Sequence, residues 1–403
     1  MVYSESSEVM SMVKPLPSIS MKNYQWWTSD LQGILCMEGG EGDGSYALNS
    51  EAAASAIALS KPFLRKAINC MDLFFTESSL RIADLGCATG NNTLSTVDFV
   101  VESLKSRYGS TSPPPEFEAF FSDLPSTDFN TLFRSLAPRL SSRKNERKRS
   151  YYAAGVPGSF YERLFPKGKL HVAISLSALH WMSRIPDAVL NKNSRAWNRG
   201  RAWIDGASIE VVEAYAKQSD EDLKAFLRCR AEEIVSGGLL FLLMAGRPDS
   251  EPLQNQLGDP VSRAKHPFTD CMDQAWNDLV NEGLIHEDTR DGFNIPAYMR
   301  SSKEIQQAFD HCNAFEIKCI EFRKVMEHSK TKQKQSLMDP VSYAKAKTNL
   351  VRATMGPMIV AHLGSSDLSD EFFKRFEKRA APSLTMLNKI CHYGVIVVFA
   401  KRI

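Results

Sequence analysis

Apolar and polar positions follow two rhythms along this chain. Strand-length apolar runs fall at 80–85, 116–123, 170–176, 239–244, 317–322 and 393–400, and residues 151–161 read as a further strand and turn. Helix-length segments stand among them: 51–69, the stretch from Asn91 or Asn92, a short helix opening within 124–133, then 207–233, 303–311, 343–363 and 370–380. Strands alternating with helices predict an α/β fold around a doubly wound sheet of about seven strands. Asn49 or Ser50 is the expected N-cap of the 51–69 helix, and Gly237-Gly238 is the expected stop of the 207–233 helix.

The first strand carries the densest chemistry. Leu80-Arg81-Ile82-Ala83-Asp84-Leu85 closes on an acid, passes through Gly86-Cys87-Ala88-Thr89-Gly90 and opens a helix at Asn91-Asn92. Such a strand-turn-helix brings backbone N–H groups to a ligand. Neither G-x-G-x-x-G nor G-x-x-x-x-G-K-[ST] is present, which argues against a dinucleotide turn and a P-loop. The second strand, Glu116 to Asp123, follows the Pro113-Pro114-Pro115 turn and also ends in an acid. In a doubly wound sheet an acid at that place can accept from both ribose hydroxyls, the role expected of Asp123.

Composition narrows the classes. The chain has 403 residues, 43% of them hydrophobic, enough for one elaborated domain. Its 49 basic and 47 acidic residues leave a net charge of +2, which gives no reason to expect a nucleic acid partner. The basic run at 139–149 reads as a solvated loop. Eight cysteines without C-x-x-C spacing argue against a zinc site and a disulfide framework. The first 20 residues hold no uninterrupted apolar h-region and no run is long enough for a bilayer, so the expectation is a cytoplasmic protein with no membrane partner.

Residues 1–33 are polar apart from Trp26-Trp27 and read as an N-terminal extension. The glycine-rich segment Gly39-Gly40-Glu41-Gly42-Asp43-Gly44-Ser45-Tyr46-Ala47-Leu48-Asn49-Ser50 is either a flexible surface loop or a segment that closes over a ligand.

The D-x-G-x-x-x-G pattern from Asp84 to Gly90 resembles motif I of S-adenosylmethionine-dependent methyltransferases, and G-G-x-G-x-x-S-Y-x-x-N-S resembles the N-terminal signature of the plant SABATH methyltransferases. The resemblance runs from about residue 34 to the C-terminus. It implies a class I Rossmann-like methyltransferase: a mixed sheet with an α-helical cap over the active site. Residues 34–403 would form one domain, with cap insertions at about 187–215, 247–302 and 324–365. It also implies S-adenosylmethionine as cofactor, held by Tyr46, Ser50, Asp84, Gly86, Cys87, Asn92, Asp123, Leu124, Ser159 and Phe160. By itself Phe160 also reads as core. Ser177, His180 and Trp181, just beyond the fourth strand, would line the acceptor pocket, with His180 and Trp181 positioning the acceptor's carboxylate. A His-Trp pair on its own is as readily a packed core pair.

The family resemblance further implies a Mg²⁺ site from Asn198, Asp291, the Phe293 carbonyl and Asn294, oxygen ligands that suit a hard cation. The alternative is a hydrogen-bonded turn tying two cap pieces. A homodimer is implied as well. Within the family the wording of 58–62, 121–124, 153–160, 203–207, 246–248, 258–260 and 266–269 is similar to the gibberellin carboxyl methyltransferase branch, while Arg290 to Pro296 is shared with the indole-3-acetate branch. The reaction implied is methyl-ester formation on a small acid, a gibberellin first. Indole-3-acetate, a cinnamate or a purine nitrogen are the other acceptors, and a catalytically silent hormone-binding protein is the non-enzymatic alternative. Salicylate-type members carry Lys and Gln where this chain has Glu38 and Ala53. Either Glu38 turns away from the carboxylate or the acceptor is no simple benzoate.

Overall fold

The computed structural model describes residues 31–71, 78–108, 115–136, 150–257, 266–326, 338–381 and 392–403. The arm at 1–30 with Trp26-Trp27, Pro113-Pro114, the basic run at 139–149, Gly258-Asp259-Pro260 and part of the third expected cap segment lie outside them.

Seven strands form one sheet: β1 (Ser79–Leu85), β2 (Glu116–Asp123), β3 (Tyr152–Pro157), β4 (Leu170–Leu176), β5 (Ile234–Ala245), β6 (Phe315–Met326) and β7 (His392–Arg402). Their order is β3-β2-β1-β4-β5-β7-β6. The first five are mutually parallel and β7 runs antiparallel between β5 and β6. The sheet is therefore mixed. The direction of the chain changes between β1 and β4, so the ends of those two strands open a crevice.

The helices are α1 (Leu31–Ile34), α2 (Tyr46–Asn49), α3 (Glu51–Asn69), α4 (Asn91–Tyr108), α5 (Phe129–Leu136), α6 (Asp187–Leu190), α7 (Ile209–Glu233), α8 (Pro267–Asn281), α9 (Glu287–Gly292), α10 (Ser302–Cys312), α11 (Pro340–Leu363) and α12 (Ser366–Ala380). Alternation along the strands divides the core. Leu80 and Ile82 of β1 with Leu239, Phe241 and Leu243 of β5 pack beneath α3, α4 and α5. Ala83 and Leu85 with Leu240, Leu242 and Met244 face α7 and α10 on the other side. Burial on both faces explains why these strands read as unbroken apolar runs.

A third cluster forms the cap's own core, with Trp276 of α8 stacked on Phe293 at 4.7 Å and on Phe372 of α12 at 4.8 Å. Val211, Val212 and Tyr215 of α7 belong to this cluster while Leu223, Phe226 and Leu227 pack on the sheet, so one helix joins both layers. The cap draws in Phe372, Phe373 and Phe376, beyond the third expected cap segment, and Leu31 of α1, within the expected N-terminal extension.

Three local expectations need correction. Gly237-Gly238 does not stop a helix: α7 passes straight into β5 at Ile234, and the glycines lie in a bulge. Leu170 pairs with Ile234 while Val172 pairs with Leu239, so the extra length of β5 is taken up between them. Gly237 has φ +82°, and a Cβ on Gly238 would lie 2.9 Å from the His171 carbonyl oxygen. Ser50 is the N-cap of α3 by position, but its side chain makes no cap bond; the hydroxyl accepts from Asn92 Nδ2 at 3.0 Å instead. Finally β6 extends from 315 to 326, because its full length pairs with β7.

Candidate active site

The crevice is built by the turns that follow β1, β2 and β4. After β1, Gly86 (φ +80°), Ala88 (φ +50°) and Gly90 (φ +104°) all take left-handed backbone. Only glycine serves at 86: a Cβ there would lie 2.4 Å from the Ala178 Cβ. The turn thus presses against the segment leaving β4 and reaches α4 at Asn91.

Two carboxyl groups face the turn from buried positions. Asp84 accepts from the Thr93 hydroxyl at 2.5 Å through Oδ2, while its buried Oδ1 has no partner. Burial, offset by the Thr93 bond and reinforced by Asp123, pushes its pKa up to about 7. Asp123 Oδ2 accepts from the Ala88 N–H at 2.6 Å; Oδ1 accepts from the Leu124 N–H at 2.7 Å and the Thr127 hydroxyl at 2.8 Å. Burial raises its pKa too, against those three bonds. Asp123 therefore shapes the glycine turn as well as facing the cleft. The Tyr46 phenol is pushed up to about 12 by burial and by these two acids, and burial pushes the Cys87 thiol up.

The cleft spans about 930 Å³ counted out into its open mouth. Tyr46, Asp84, Gly86, Cys87, Asn92, Asp123, Leu124, Ser159, Phe160, Ser177 and Trp181 all line it. Ser50 stands behind Asn92, and His180 stands behind Trp181; neither is on the lining. The lining that sequence reasoning missed is Leu31, Leu35, Met37, Ile57, Tyr161, Met182 and Ser183 among others. Ile57 lay on the buried face of an expected helix, and Tyr161 adjoins Phe160; the rest carried no motif.

Phe160 packs edge-on against Tyr161 at 4.7 Å and Phe226 at 6.0 Å, with its ring beside Gly86. Its loop is anchored from below by a fully buried ion pair. Arg230 donates to the carbonyls of Phe160 and Glu162, both at 2.9 Å, and pairs with Glu233 at 2.7 Å. Glu233 in turn accepts the N–H groups of Leu164 and Phe165.

On the acceptor side, Ser177 leaves β4 with φ +57°, a left-handed conformation stored at the cleft edge. Trp181 is bridged to Ala297 of the cap, and its carbonyl accepts from the Tyr161 hydroxyl at 2.5 Å. The His180 ring lies 5.5 Å from the Trp181 ring, with Nδ1 buried and unpartnered. Burial and the nearby Arg300 hold its pKa down at about 4, so the imidazole is neutral at pH 7. Glu38 points elsewhere: its N–H donates to the Ala353 carbonyl at 2.8 Å, and its carboxylate lies against Gly356 on α11, with Arg352 nearby. Neither Glu38 nor Ala53 lines the cleft.

The residues of the suggested Mg²⁺ site do meet in space. Asn198 Nδ2 donates to Asn294 Oδ1 at 2.7 Å, and Asp291 Oδ1 accepts from the Gly200 N–H at 2.9 Å and from Arg290 at 2.8 Å. Asn198 Oδ1 is buried without a partner. Among the described residues no group of three or more His, Cys, Asp and Glu side chains is arranged to hold a metal. No helix among them is long and apolar enough to cross a membrane.

The cleft suits S-adenosylmethionine on its own terms. The unpartnered Asp84 Oδ1 is available to a charged donor such as an ammonium, the Gly86 turn permits close approach, and Asp123 lines the same cleft. Comparisons agree. The profile of the family described as "SAM dependent carboxyl methyltransferase" matches residues 32–403. Gibberellic acid methyltransferase 2 of Arabidopsis thaliana is 53% identical over 390 residues, 96% of this chain and 99% of that protein. Gibberellic acid methyltransferase 1 of the same plant is 52% identical, over 93% and 98% of the two chains. Indole-3-acetate O-methyltransferase 1 of A. thaliana is 38% identical over 87% of this chain and 90% of that protein. A solved structure of loganic acid methyltransferase with SAH superposes with a TM-score of 0.78 at 33% identity, covering 91% of this chain and 98% of that one. With the fold, the cleft and a match over nearly its whole length in agreement, this chain belongs to the family of SAM-dependent carboxyl methyltransferases.

Proposed function

We propose that the protein methylates the carboxyl group of a gibberellin, forming the methyl ester and S-adenosylhomocysteine and so inactivating the hormone. The observation that carries this reading is the identity of about half, over nearly the full length, to two proteins named gibberellic acid methyltransferases. Three cleft features support it. Leu31, Leu35, Met37, Ile57 and Met182 offer apolar wall to a bulky alicyclic acid, Trp181 is the one indole among the lining residues, and Glu38 is turned out of the site toward α11. Indole-3-acetate is the second reading, favoured by the 38% identical relative and the shared Arg290 to Pro296 segment.

Bound S-adenosylmethionine supplies the methyl group on a sulfonium, an intrinsically activated donor. An acid with a pKa of about 4 is already ionised at pH 7, so the chain need not provide a general base. Asp84 and Asn92 would hold the amino-acid end, Asp123 and Leu124 the ribose, and Ser159 with Phe160 the adenine. Trp181 would donate its indole N–H to the acceptor carboxylate and so orient it. The apolar walls exclude water, so the entering oxygen is not shielded by hydration. Neutral His180, behind Trp181, acts as packing and positioning rather than as a base.

Asn198, Asp291, Phe293 and Asn294 fit a hard cation through Asn198 Oδ1 and one carboxylate, with Arg290 competing for the latter. Mg²⁺ there would cross-link two cap pieces and take no step in the transfer; metal analysis after dialysis against chelator checks it. The family resemblance supports a cytoplasmic homodimer, which light scattering and fractionation test.

The first experiment is incubation of purified protein with methyl-labelled S-adenosylmethionine and gibberellins, indole-3-acetate, cinnamate, salicylate and xanthine. Extractable ester on gibberellins, lost in Trp181→Ala, is the expected result. Ester on another acid alone would overturn the substrate assignment, and cofactor binding without turnover on any acid would favour a silent hormone-binding protein.

A further inference from the structure

Three arginines are buried in the described structure, and two sit on carboxylates: Arg230 on Glu233 and Arg247 on Glu304. Arg300 differs. Among the described residues no carboxylate lies within ion-pair distance of its guanidinium, although the side chain is only 2% exposed. Asp222, an acid near Tyr161, is engaged by the Ser183 N–H and hydroxyl and by the Gln218 amide. A guanidinium left without a counter-ion in the interior is costly unless its N–H groups are used elsewhere.

Arg300 uses both Nη groups in this way, while its buried Nε has no partner. One Nη donates to the Leu179 carbonyl and the other to the Ser219 carbonyl of α7 at 2.8 Å, and the Tyr161 phenol lies near the guanidinium. Tyr161 in turn donates its hydroxyl to the Trp181 carbonyl. The carbonyl between them, on His180, accepts from the Tyr298 N–H at 2.9 Å. Three successive carbonyls are thus fastened, the first by Arg300 and the third through Tyr161. This is the turn that leaves β4 through left-handed Ser177 and presents Trp181 to the cleft.

We propose that Arg300 is a positioning residue for the acceptor: its planar fork holds the Leu179 to Trp181 turn, and thereby fixes where Trp181 meets the carboxylate. The arrangement has chemical sense. A guanidinium bonded directly to the carboxylate would draw down the electron pair that must attack the methyl carbon. One layer back, it orients the wall and leaves the nucleophile free. Lysine cannot replace it, because an ammonium lacks the coplanar donors that reach two carbonyls at once.

The inference rests on the carboxyl methyltransferase activity, so the assay uses gibberellic acid or, if the wild-type enzyme esterifies a different acid of the panel, that acid. The substrate assignment can then fail without the positioning role failing. Steady-state kinetics and the dissociation constant for S-adenosylmethionine are measured for Arg300→Met, Arg300→Lys and Tyr161→Phe. Both Arg300 variants are expected to lose about 10- to 100-fold in kcat/KM for the acid, the scale of an ångström-sized misplacement, with cofactor affinity within about twofold of wild type. Tyr161→Phe removes one O–H without emptying volume, and is expected to lose about threefold or more in the same constant. Wild-type acceptor kinetics in Arg300→Lys, or a parallel loss of cofactor affinity and acceptor turnover in the Arg300 variants, would overturn the proposal. Should both Arg300 variants fail to fold, unchanged acceptor kinetics in Tyr161→Phe would overturn it alone.

Discussion

Burial sets Asp84 apart from an ordinary strand-end acid. Without cofactor its pKa lies at about 7, raised first by burial, so near neutrality a substantial fraction carries a proton. A carboxyl whose folded pKa is raised contributes stability that is complete below its unfolded value and is lost as pH rises through about 7. The cofactor's ammonium reverses this by favouring the ionised form. Cofactor affinity is therefore expected to weaken below pH 7, approaching about tenfold per pH unit, and titration calorimetry across pH 5.5–8.5 checks it. Asp84→Asn should flatten that dependence and weaken binding by about 10- to 100-fold, as the loss of a charged hydrogen bond implies. The acid at the end of β1 was legible in the sequence; its unpartnered oxygen was not, because that depends on what surrounds it.

At the scale of elements, the cleft wall formed by Ser159 and Phe160 hangs on the C-terminal turns of α7. Arg230 and Glu233 lie on one face of that helix, three residues apart, and fasten the loop carrying Ser159 and Phe160. Removing one member of a buried pair leaves an uncompensated charge, at a cost of about 3–5 kcal/mol. Arg230→Met is expected to lower stability to chemical denaturation by that amount, and to weaken cofactor binding more than acceptor binding in the protein that remains folded. The helix itself was evident from its length and composition. Its end at Glu233 was legible as well, but the cause was not: α7 passes into β5 without a glycine stop, and Gly237-Gly238 serve the bulge that matches β5 to β4.

At the scale of the whole molecule, the described residues pack into three clusters, one on each face of the sheet and one in the cap, and the cleft lies where sheet and cap meet. The cap core around Trp276 supports the cleft's cap side through Leu31, Met182 and the Ala297 bridge to Trp181. Trp276→Ala is expected to destabilise by about 3–5 kcal/mol. Its effect should fall on acceptor turnover before cofactor binding, as thermal unfolding monitored with and without S-adenosylmethionine can show. Glu38 belongs to this scale too, because α11 of the cap draws it out of the cleft.

Local patterns determined the strands, the acids at the ends of β1 and β2, the Gly86 turn and the His180-Trp181 pair, since each depends on neighbours in sequence and on the period of a strand or helix. Tertiary structure alone decided which further side chains complete the cleft, Leu31, Leu35, Met37 and Met182 among them. It placed His180 behind Trp181, Ser50 behind Asn92 and Glu38 against α11, and it brought Arg300 under a turn 120 residues away in sequence. Hydrophobic period encodes which face of an element is buried. It carries no information about which distant carbonyl or carboxyl that face will meet, and here the positions of those polar partners set the chemistry.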